Sequence, residues 1–302
     1  METTHTPGRS DAALGGGGDG AGAVGALPNL IVIGAQKCGT SVLHYYLGLH
    51  PEISMSQTKE LNFFVAERNW RRGVDWYRAR FNPRATVRGE ASPNYTADPV
   101  FAGVPERMHS VVPGASLIYI VRDPLERIAA HWVHNVAKGR VKADLHETLL
   151  NPRSSYIARS RYHTQLQRFL RFYALDRVLV LEQNDLRDRR AETLRSVFEF
   201  AGVNPGFSHA RFRQERHKTG RKTQPTRLAT RLEERRARAR RHLLPPEAWA
   251  LAREYWPLGR RIGRPDIRSA LPDEVLATLR EDAEGLRRLT DRGFEHWSIW
   301  RM

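Results

Sequence analysis

Runs of apolar residues alternate with stretches of helical periodicity along most of the chain. Residues 30–33, Leu-Ile-Val-Ile, are β-branched at three of four places, which is typical of a buried strand. Residues 117–121 and 178–181 have the same character, and residues 86–89 indicate a shorter fourth strand. Each of the three longer runs precedes a stretch with apolar residues at helical spacing. This alternation predicts an α/β fold of three layers, in which helices flank a central parallel sheet.

The two ends of the chain differ from this pattern. Residues 1–27 are small, polar and glycine-rich, so they cannot bury enough apolar surface to fold, and we expect a disordered tail. We assign residues 28–302 to one folded domain. Near the end of that domain, residues 271–300 carry apolar side chains at helical spacing and predict an amphipathic helix ending in two tryptophans.

Charge and cysteine content narrow the functional classes. The 302 residues include 49 Lys and Arg against 33 Asp and Glu, a formal net charge of +16, which attracts anions such as nucleotides, nucleic acids, acidic glycans or acidic lipids. The single cysteine, Cys38, excludes an intrachain disulfide and fits a reducing compartment, so we expect a cytoplasmic protein. We expect neither a signal peptide nor a membrane span, since no stretch has the ~18 apolar residues required.

Parallel sheets bind ligands at the carboxyl ends of their strands, which directs attention to the loops after the three longer strands. The first loop, residues 34–41, reads Gly-Ala-Gln-Lys-Cys-Gly-Thr-Ser. Its backbone amides and the start of the following helix predict an anion site, with the Lys37 cation inside the loop. A nucleoside-triphosphate loop would have lysine at position 40, where this chain has Thr40. A plain tight turn with an exposed Lys37 is the alternative.

This loop resembles the 5′-phosphosulfate loop of sulfotransferases that use 3′-phosphoadenosine 5′-phosphosulfate (PAPS), in which a lysine stands two residues before Gly-Thr. Residues 59–64, Lys-Glu-Leu-Asn-Phe-Phe, and residues 89–95 resemble two segments of the heparan-sulfate-like branch. The resemblance spans about residues 28–300. It implies a P-loop-like fold that binds PAPS as the donor and releases 3′-phosphoadenosine 5′-phosphate (PAP). The loop residues that it assigns to the donor are Gln36, Lys37, Cys38, Gly39, Thr40 and Ser41.

Residues 122–127, Arg-Asp-Pro-Leu-Glu-Arg, resemble the segment that binds the 3′-phosphate in this family. The planar guanidinium of Arg122 suits bidentate phosphate binding beside a helix N-terminus. An ion pair with an acidic neighbour is the alternative. The family usually has a serine eight residues later, and here that position is Ala130, so one hydroxyl donor is missing. We expect Arg127 to be solvated or paired with Asp123.

A third segment, residues 217–222, resembles the family's late basic loop, which folds over the nucleotide. The resemblance assigns Thr219, Gly220 and Arg221 to the donor site. Because the surrounding sequence is arginine-rich, a charged run on a solvated face is the alternative. A further basic run at residues 235–241 suggests peripheral contact with an acidic acceptor or a membrane surface.

Sulfuryl transfer needs a cation near the leaving phosphate and a base near the acceptor hydroxyl. Lys37 is the candidate cation, and the resemblance makes Glu60 the candidate base. Neighbouring phenylalanines predict a partly desolvated Glu60 with a raised pKa, and an ion pair with Lys59 is the alternative. His131 and His134 are other possible bases, and no metal is expected. The residues assigned to the acceptor are Lys59, Asn62, Phe63 and Glu90.

The acceptor and two competing functions stay open. Heparan-modifying enzymes often have histidine, an acid and lysine where this chain has Asn62, Val65 and Ala91, which argues against an extended acidic glycan. A simple sugar, a lipid or a small metabolite remain as acceptors. A P-loop kinase would need lysine at position 40 and a strand-end aspartate for magnesium. A nucleic-acid-binding protein would explain the charge, but no helix-turn-helix, zinc finger or aromatic RNA platform accompanies it.

Overall fold

The computed structural model describes residues 25–141, 144–150, 155–213, 223–224 and 260–301. Most of the expected N-terminal tail, residues 1–24, lies outside the described residues. The third donor segment with Thr219, Gly220 and Arg221 also lies outside them, as does the basic run at 235–241. The predictions made for these segments therefore stay predictions.

Five parallel strands form the central sheet in the order β2-β3-β1-β4-β5. Their bounds are β1 Leu30–Gly34, β2 Ile53–Met55, β3 Val87–Ala91, β4 Ser116–Val121 and β5 Val178–Glu182. All five residues of β1 are buried, as expected for a central strand that is covered on both faces. The predicted α/β fold with a parallel sheet is confirmed, and β2 is an additional short edge strand.

The direction in which strands are added reverses beside β1. From β1 the chain builds β2 and β3 on one side and then crosses to form β4 and β5 on the other side. Val32 of β1 pairs with Ala91 of β3 and with Ile118 of β4. The loops after β1 and β4 therefore emerge side by side at a topological switch point, where open α/β sheets bind their ligands.

Helices connect and cover these strands. Those in the described residues are α1 Thr40–Leu47, α2 Gly73–Arg78, α3 Val104–Val111, α4 Pro124–Ala137, α5 Leu145–Leu150, α6 Tyr162–Leu170, α7 Gln183–Asp188, α8 Arg190–Phe200, α9 Ile267–Ala270 and α10 Asp273–Thr290. The predicted tail helix is α10, and it is shorter than predicted because the left-handed conformation of Asp291, with φ of 51°, ends it. Within the described part of the chain, no helix is long and apolar enough to cross a bilayer.

The N-terminus of α6 is capped from a distant helix. Asp282 of α10 is 5% exposed and accepts hydrogen bonds from the amides of His163 (2.9 Å) and Thr164 (3.0 Å). The Thr164 hydroxyl donates to the same carboxylate at 2.6 Å. Through this cap α10 holds α6, whose first residue, Tyr162, contacts the loop after β1.

Candidate active site

The loop after β1 turns directly into α1. Gly39 is the N-cap of α1 and has φ of 104°, a left-handed conformation that favours glycine. The first intrahelical bonds end on the Gly39 carbonyl, so the amides of Thr40 and Ser41 lie ahead of the helical ladder at the positive end of the helix. The Ala35 amide donates to the Ile120 carbonyl at 2.7 Å, which ties the loop to β4. This geometry suits a phosphate group.

Two side chains of this loop are turned inward. Cys38 is fully buried with its Sγ 3.6 Å from the Tyr162 hydroxyl, and burial raises the pKa of the thiol to about 11. Cys38 can therefore contact the sulfuryl donor only through its backbone. The Oε1 atom of Gln36 is buried and has no hydrogen-bond partner. Such an atom is costly unless a ligand or water satisfies it.

Arg122 stands at the carboxyl end of β4 and is paired with an acid. Its Nη2 lies 2.7 Å from Oε2 of Glu126, and Glu126 also pairs with Arg264. Asp123 caps α4, because its Oδ1 accepts hydrogen bonds from the amides of Leu125 and Glu126. The ion pair considered as the alternative is thus present. One carboxylate shared by two arginines engages only part of the five-donor guanidinium of Arg122, which leaves phosphate binding open.

The prediction for Arg127 is wrong. This side chain is neither solvated nor paired with Asp123 but has an exposed fraction of 0%. Its Nη2 lies 2.9 Å from Nδ1 of His131, while its Nε and Nη1 have no partner. Asp123 is occupied as the helix cap, and the next turn of α4 directs Arg127 inward. Ala130, on the same helix, is 3% exposed.

Glu60 lies in a loop held against β3, where its amide donates to the Ala91 carbonyl at 3.1 Å. Its Oε1 is 2.6 Å from Nζ of Lys59, so the ion pair considered as the alternative is present here too. Burial raises the pKa of Glu60, but the charge and hydrogen bond of Lys59, with the charges of Lys37 and Lys138, more than offset this and hold it below its usual value. The expected upward shift is therefore wrong, although Lys37 lies within electrostatic range of this carboxylate.

The four residues assigned to the acceptor occupy different environments. Phe63 has an exposed fraction of 0% and stacks on Tyr77 with 4.2 Å between ring centroids, so its side chain belongs to the core. Glu90 is also fully buried, and it accepts hydrogen bonds from Tyr77 and from Tyr95 (2.8 Å). Neither side chain can touch an acceptor as predicted, because the aromatic cluster under the loop encloses both. Lys59 and Asn62 remain beside Glu60.

Asn62 links Glu60 to residues that the sequence pattern does not identify. Its Nδ2 donates to the Glu60 carbonyl at 2.7 Å, and its Oδ1 accepts from Asn94 at 2.9 Å. Asn94 in turn accepts from Nη2 of Arg159 at 2.9 Å. Arg159 is 4% exposed and enters the site from the turn before α6, some 100 residues from Glu60 in the sequence. Only the folded structure reveals this connection.

Gln183 is a second residue that sequence reasoning does not name. It begins α7 immediately after β5, one of the strand ends where a ligand is expected. A Cβ atom at Gly39 would lie 3.5 Å from Cγ of Gln183, so this side chain lies against the phosphate loop. Its Oε1 is buried without a partner. Among the described residues, no group of three or more His, Cys, Asp or Glu side chains could hold a metal ion.

Comparison with known proteins identifies the class to which this fold and site belong. A family model described as the sulfotransferase domain matches residues 27–241. The chain therefore belongs to the sulfotransferase domain family. This membership favours sulfuryl transfer over the kinase and the nucleic-acid-binding alternatives.

Particular relatives place the chain within that family. It is 29% identical over 207 residues to the human bifunctional heparan sulfate N-deacetylase/N-sulfotransferase 2, covering 61% of this chain and 23% of that protein. It is 30% identical over 198 residues to the human N-deacetylase/N-sulfotransferase 1, covering 58% of this chain and 22% of that protein. The chain thus spans about a quarter of the length of these relatives. A sulfotransferase structure from Alicyclobacillus acidocaldarius matches 90% of this chain and 99% of its own at a TM-score of 0.63 and 22% identity, which supports the shared fold.

Proposed function

We propose that this chain transfers a sulfuryl group from PAPS to the hydroxyl group of an acceptor. One observation carries the proposal: the glycine loop with Lys37 and the strand-end Arg122 follow neighbouring strands at the switch point of the sheet. A donor with one phosphate at each end would span two such anion sites. The charge of Lys37 also helps to lower the pKa of Glu60, which supports placing the candidate cation and base in one site.

The residues at the switch point fit the donor. The first-turn amides of α1 and the hydroxyl groups of Thr40 and Ser41 would hold the 5′-phosphosulfate, and Arg122 would hold the 3′-phosphate. The Oε1 atoms of Gln36 and Gln183 are buried beside the loop without a partner. They could accept hydrogen bonds from N–H or O–H groups of the nucleotide. Ala130 offers no hydroxyl, so Arg122 carries more of the 3′-phosphate binding.

Bound PAPS would supply the sulfuryl group, which leaves the bridging phosphate oxygen and bonds to the acceptor oxygen, with PAP as the product. Glu60 would take the proton of the acceptor hydroxyl, for which its lowered pKa keeps it ionised at neutral pH. Lys37 would neutralise the charge that develops on the leaving phosphate. Positioning and charge neutralisation thus account for the reaction with this chain's own groups.

The proposed acceptor is a hydroxyl-bearing glycan, lipid or small metabolite. The relatives named above are heparan sulfate N-sulfotransferases by name. This chain has Asn62 beside Glu60, with Val65 buried beneath the loop and Ala91 buried at the end of β3. These side chains add no charge around Glu60, which favours a compact or weakly charged acceptor over an extended acidic glycan.

Calorimetric titration with PAP tests the proposal. We expect micromolar binding by the wild type, much weaker binding of ATP with magnesium, and loss of PAP binding in Arg122→Ala. The matched control is Arg187→Ala, which removes an exposed arginine paired with Asp188 and should bind PAP like the wild type. A wild type that prefers ATP with magnesium, or an Arg122→Ala variant that binds PAP normally, would overturn the proposal.

A further inference from the structure

Two arginines are buried in this site without a carboxylate. Arg127 and Arg159 are 0% and 4% exposed. Neither forms a salt bridge with an acidic side chain of the described residues. A guanidinium stays charged at any physiological pH, so burying one without a counterion is strongly unfavourable. An anion bound beside both groups would compensate their charges.

The two arginines come from elements that pack together. Arg127 lies on α4, which packs against the short turn Ala158–Ser160 that carries Arg159. The His131 ring, which contacts Arg127, lies 4.3 Å from the ring of Tyr156, just before that turn. Burial, and next the positive charge of Arg127, lowers the pKa of Arg159 to about 9. The two cations therefore lie close enough to repel each other.

Each arginine is connected to a different part of the candidate site. Arg159 is joined to the Glu60 loop by the hydrogen bonds through Asn94 and Asn62. Arg127 lies within electrostatic range of Cys38 in the phosphate loop. Arg159 is thus connected to the loop of the candidate base, and Arg127 lies near the buried side of the phosphate loop.

Both guanidinium groups have N–H donors without a partner, enclosed among the elements that surround them. Nε and Nη1 of Arg127 and Nε of Arg159 are buried and have no hydrogen-bond partner. We propose that Arg127 and Arg159 form an inner oxyanion site that binds the sulfonate oxygens of the group being transferred. This inference rests on the proposed function and adds two residues to it. Because a planar guanidinium matches an oxyanion with paired donors, the site would hold the sulfonate in place for attack.

The test compares two ligands that differ only by the sulfonate. PAPS and PAP are titrated against the wild type and Arg159→Gln, and the ratio of their dissociation constants is measured. We expect Arg159→Gln to weaken PAPS binding about 10- to 100-fold, the loss of a charge-assisted hydrogen bond, and to leave PAP binding within about twofold. Arg161→Gln is the matched control, since its side chain is 42% exposed and faces Asp282; it should leave both constants unchanged.

A second variant separates ligand binding from structural support. Arg127→Met removes an uncompensated buried charge, so we expect the ligand-free protein to melt at a higher temperature than the wild type, while its PAPS binding weakens relative to PAP. If either variant lost PAP and PAPS binding equally, or if Arg127→Met lowered the melting temperature, the two arginines would be structural and the inference would fail. A wild type that binds neither ligand would instead overturn the proposed function itself.

Discussion

At the scale of single residues, the pKa of Glu60 decides the acidic limit of activity. Its value lies below the usual 4.5, because Lys59, Lys37 and Lys138 outweigh the effect of burial. A base works only when deprotonated, so a lowered pKa extends activity toward acid. We expect kcat/KM to fall only below about pH 4.5, and Glu60→Gln to lose about 100- to 10,000-fold in kcat while PAP binding is kept.

Lys59 gives a direct check on this reasoning. Lys59→Met removes the neighbouring cation that lies 2.6 Å from the carboxylate, so burial is opposed by less positive charge and the pKa of Glu60 rises. The acidic limb of the pH–rate profile should move to higher pH in this variant. If the acidic limb stayed at the same pH in Lys59→Met, the fall in rate would reflect protonation of a group other than Glu60.

Adding a hydroxyl group at Ala130 should increase the affinity for PAP. The resemblance places serine at this position, and the methyl group of Ala130 is 3% exposed on α4. Ala130→Ser should tighten PAP binding about 2- to 10-fold through one hydrogen bond, and lower the stability of the ligand-free protein by about 1 kcal/mol. Ala129→Ser, equally buried on the same helix, should cost similar stability with no gain in affinity. Equal PAP affinities in the two variants would contradict the placement of the 3′-phosphate.

At the scale of elements, Asp282 couples α10 to α6. It supplies the cap that α6 lacks locally, since Arg161 occupies the N-cap position of that helix and makes no side-chain cap. Asp282→Ala should lower the free energy of unfolding by about 2 kcal/mol, because two amides and one hydroxyl lose their acceptor. Urea denaturation measures this, with Glu284→Ala, an exposed position on α10, as the control expected to be neutral. A loss as large in the control would show that the effect of Asp282→Ala does not come from the cap.

The elements that could be predicted from sequence are those with an unbroken local pattern. The four-residue apolar run of β1 and the runs of β4 and β5 are strand-like at every position. In contrast, β2 has three residues with a serine at its centre, and its membership of the sheet depends on pairing with β3. Periodicity predicts a tail helix that reaches residue 300, because the apolar spacing continues past the left-handed Asp291 that ends the helix.

The candidate site divides in the same way. The loop of residues 34–41 and the strand-end Arg122 could be predicted, because each is a local motif at the end of a strand. Arg159 and Gln183 could not, since their roles depend on contacts with Asn94 and Gly39 that are distant in the sequence. Local reasoning also assigns Phe63 to the acceptor site, whereas its ring packs in the core. The aromatic cluster that holds the ring there is not visible in the local sequence.

At the scale of the whole molecule, the net charge of +16 should govern how the donor binds. PAP carries several negative charges, so salt should weaken its binding by screening, about 10-fold between 50 and 500 mM sodium chloride. Adenosine, which is uncharged, should change by less than about twofold over the same range. Equal salt dependence of the two ligands would mean that the charge excess serves another partner.

The rate at which the Cys38 thiol reacts with a reagent can report how often the phosphate loop opens. It is the single cysteine of the chain, and its sulfur is buried beneath the loop against Tyr162. A thiol reagent can therefore modify the native protein only while the loop is open. The labelling rate then measures how often the loop opens. We expect labelling to be far slower than in denaturant, and slower again with PAP present, because the ligand stabilises the closed loop. Labelling of the native protein as fast as in denaturant would show that the loop does not shield the thiol.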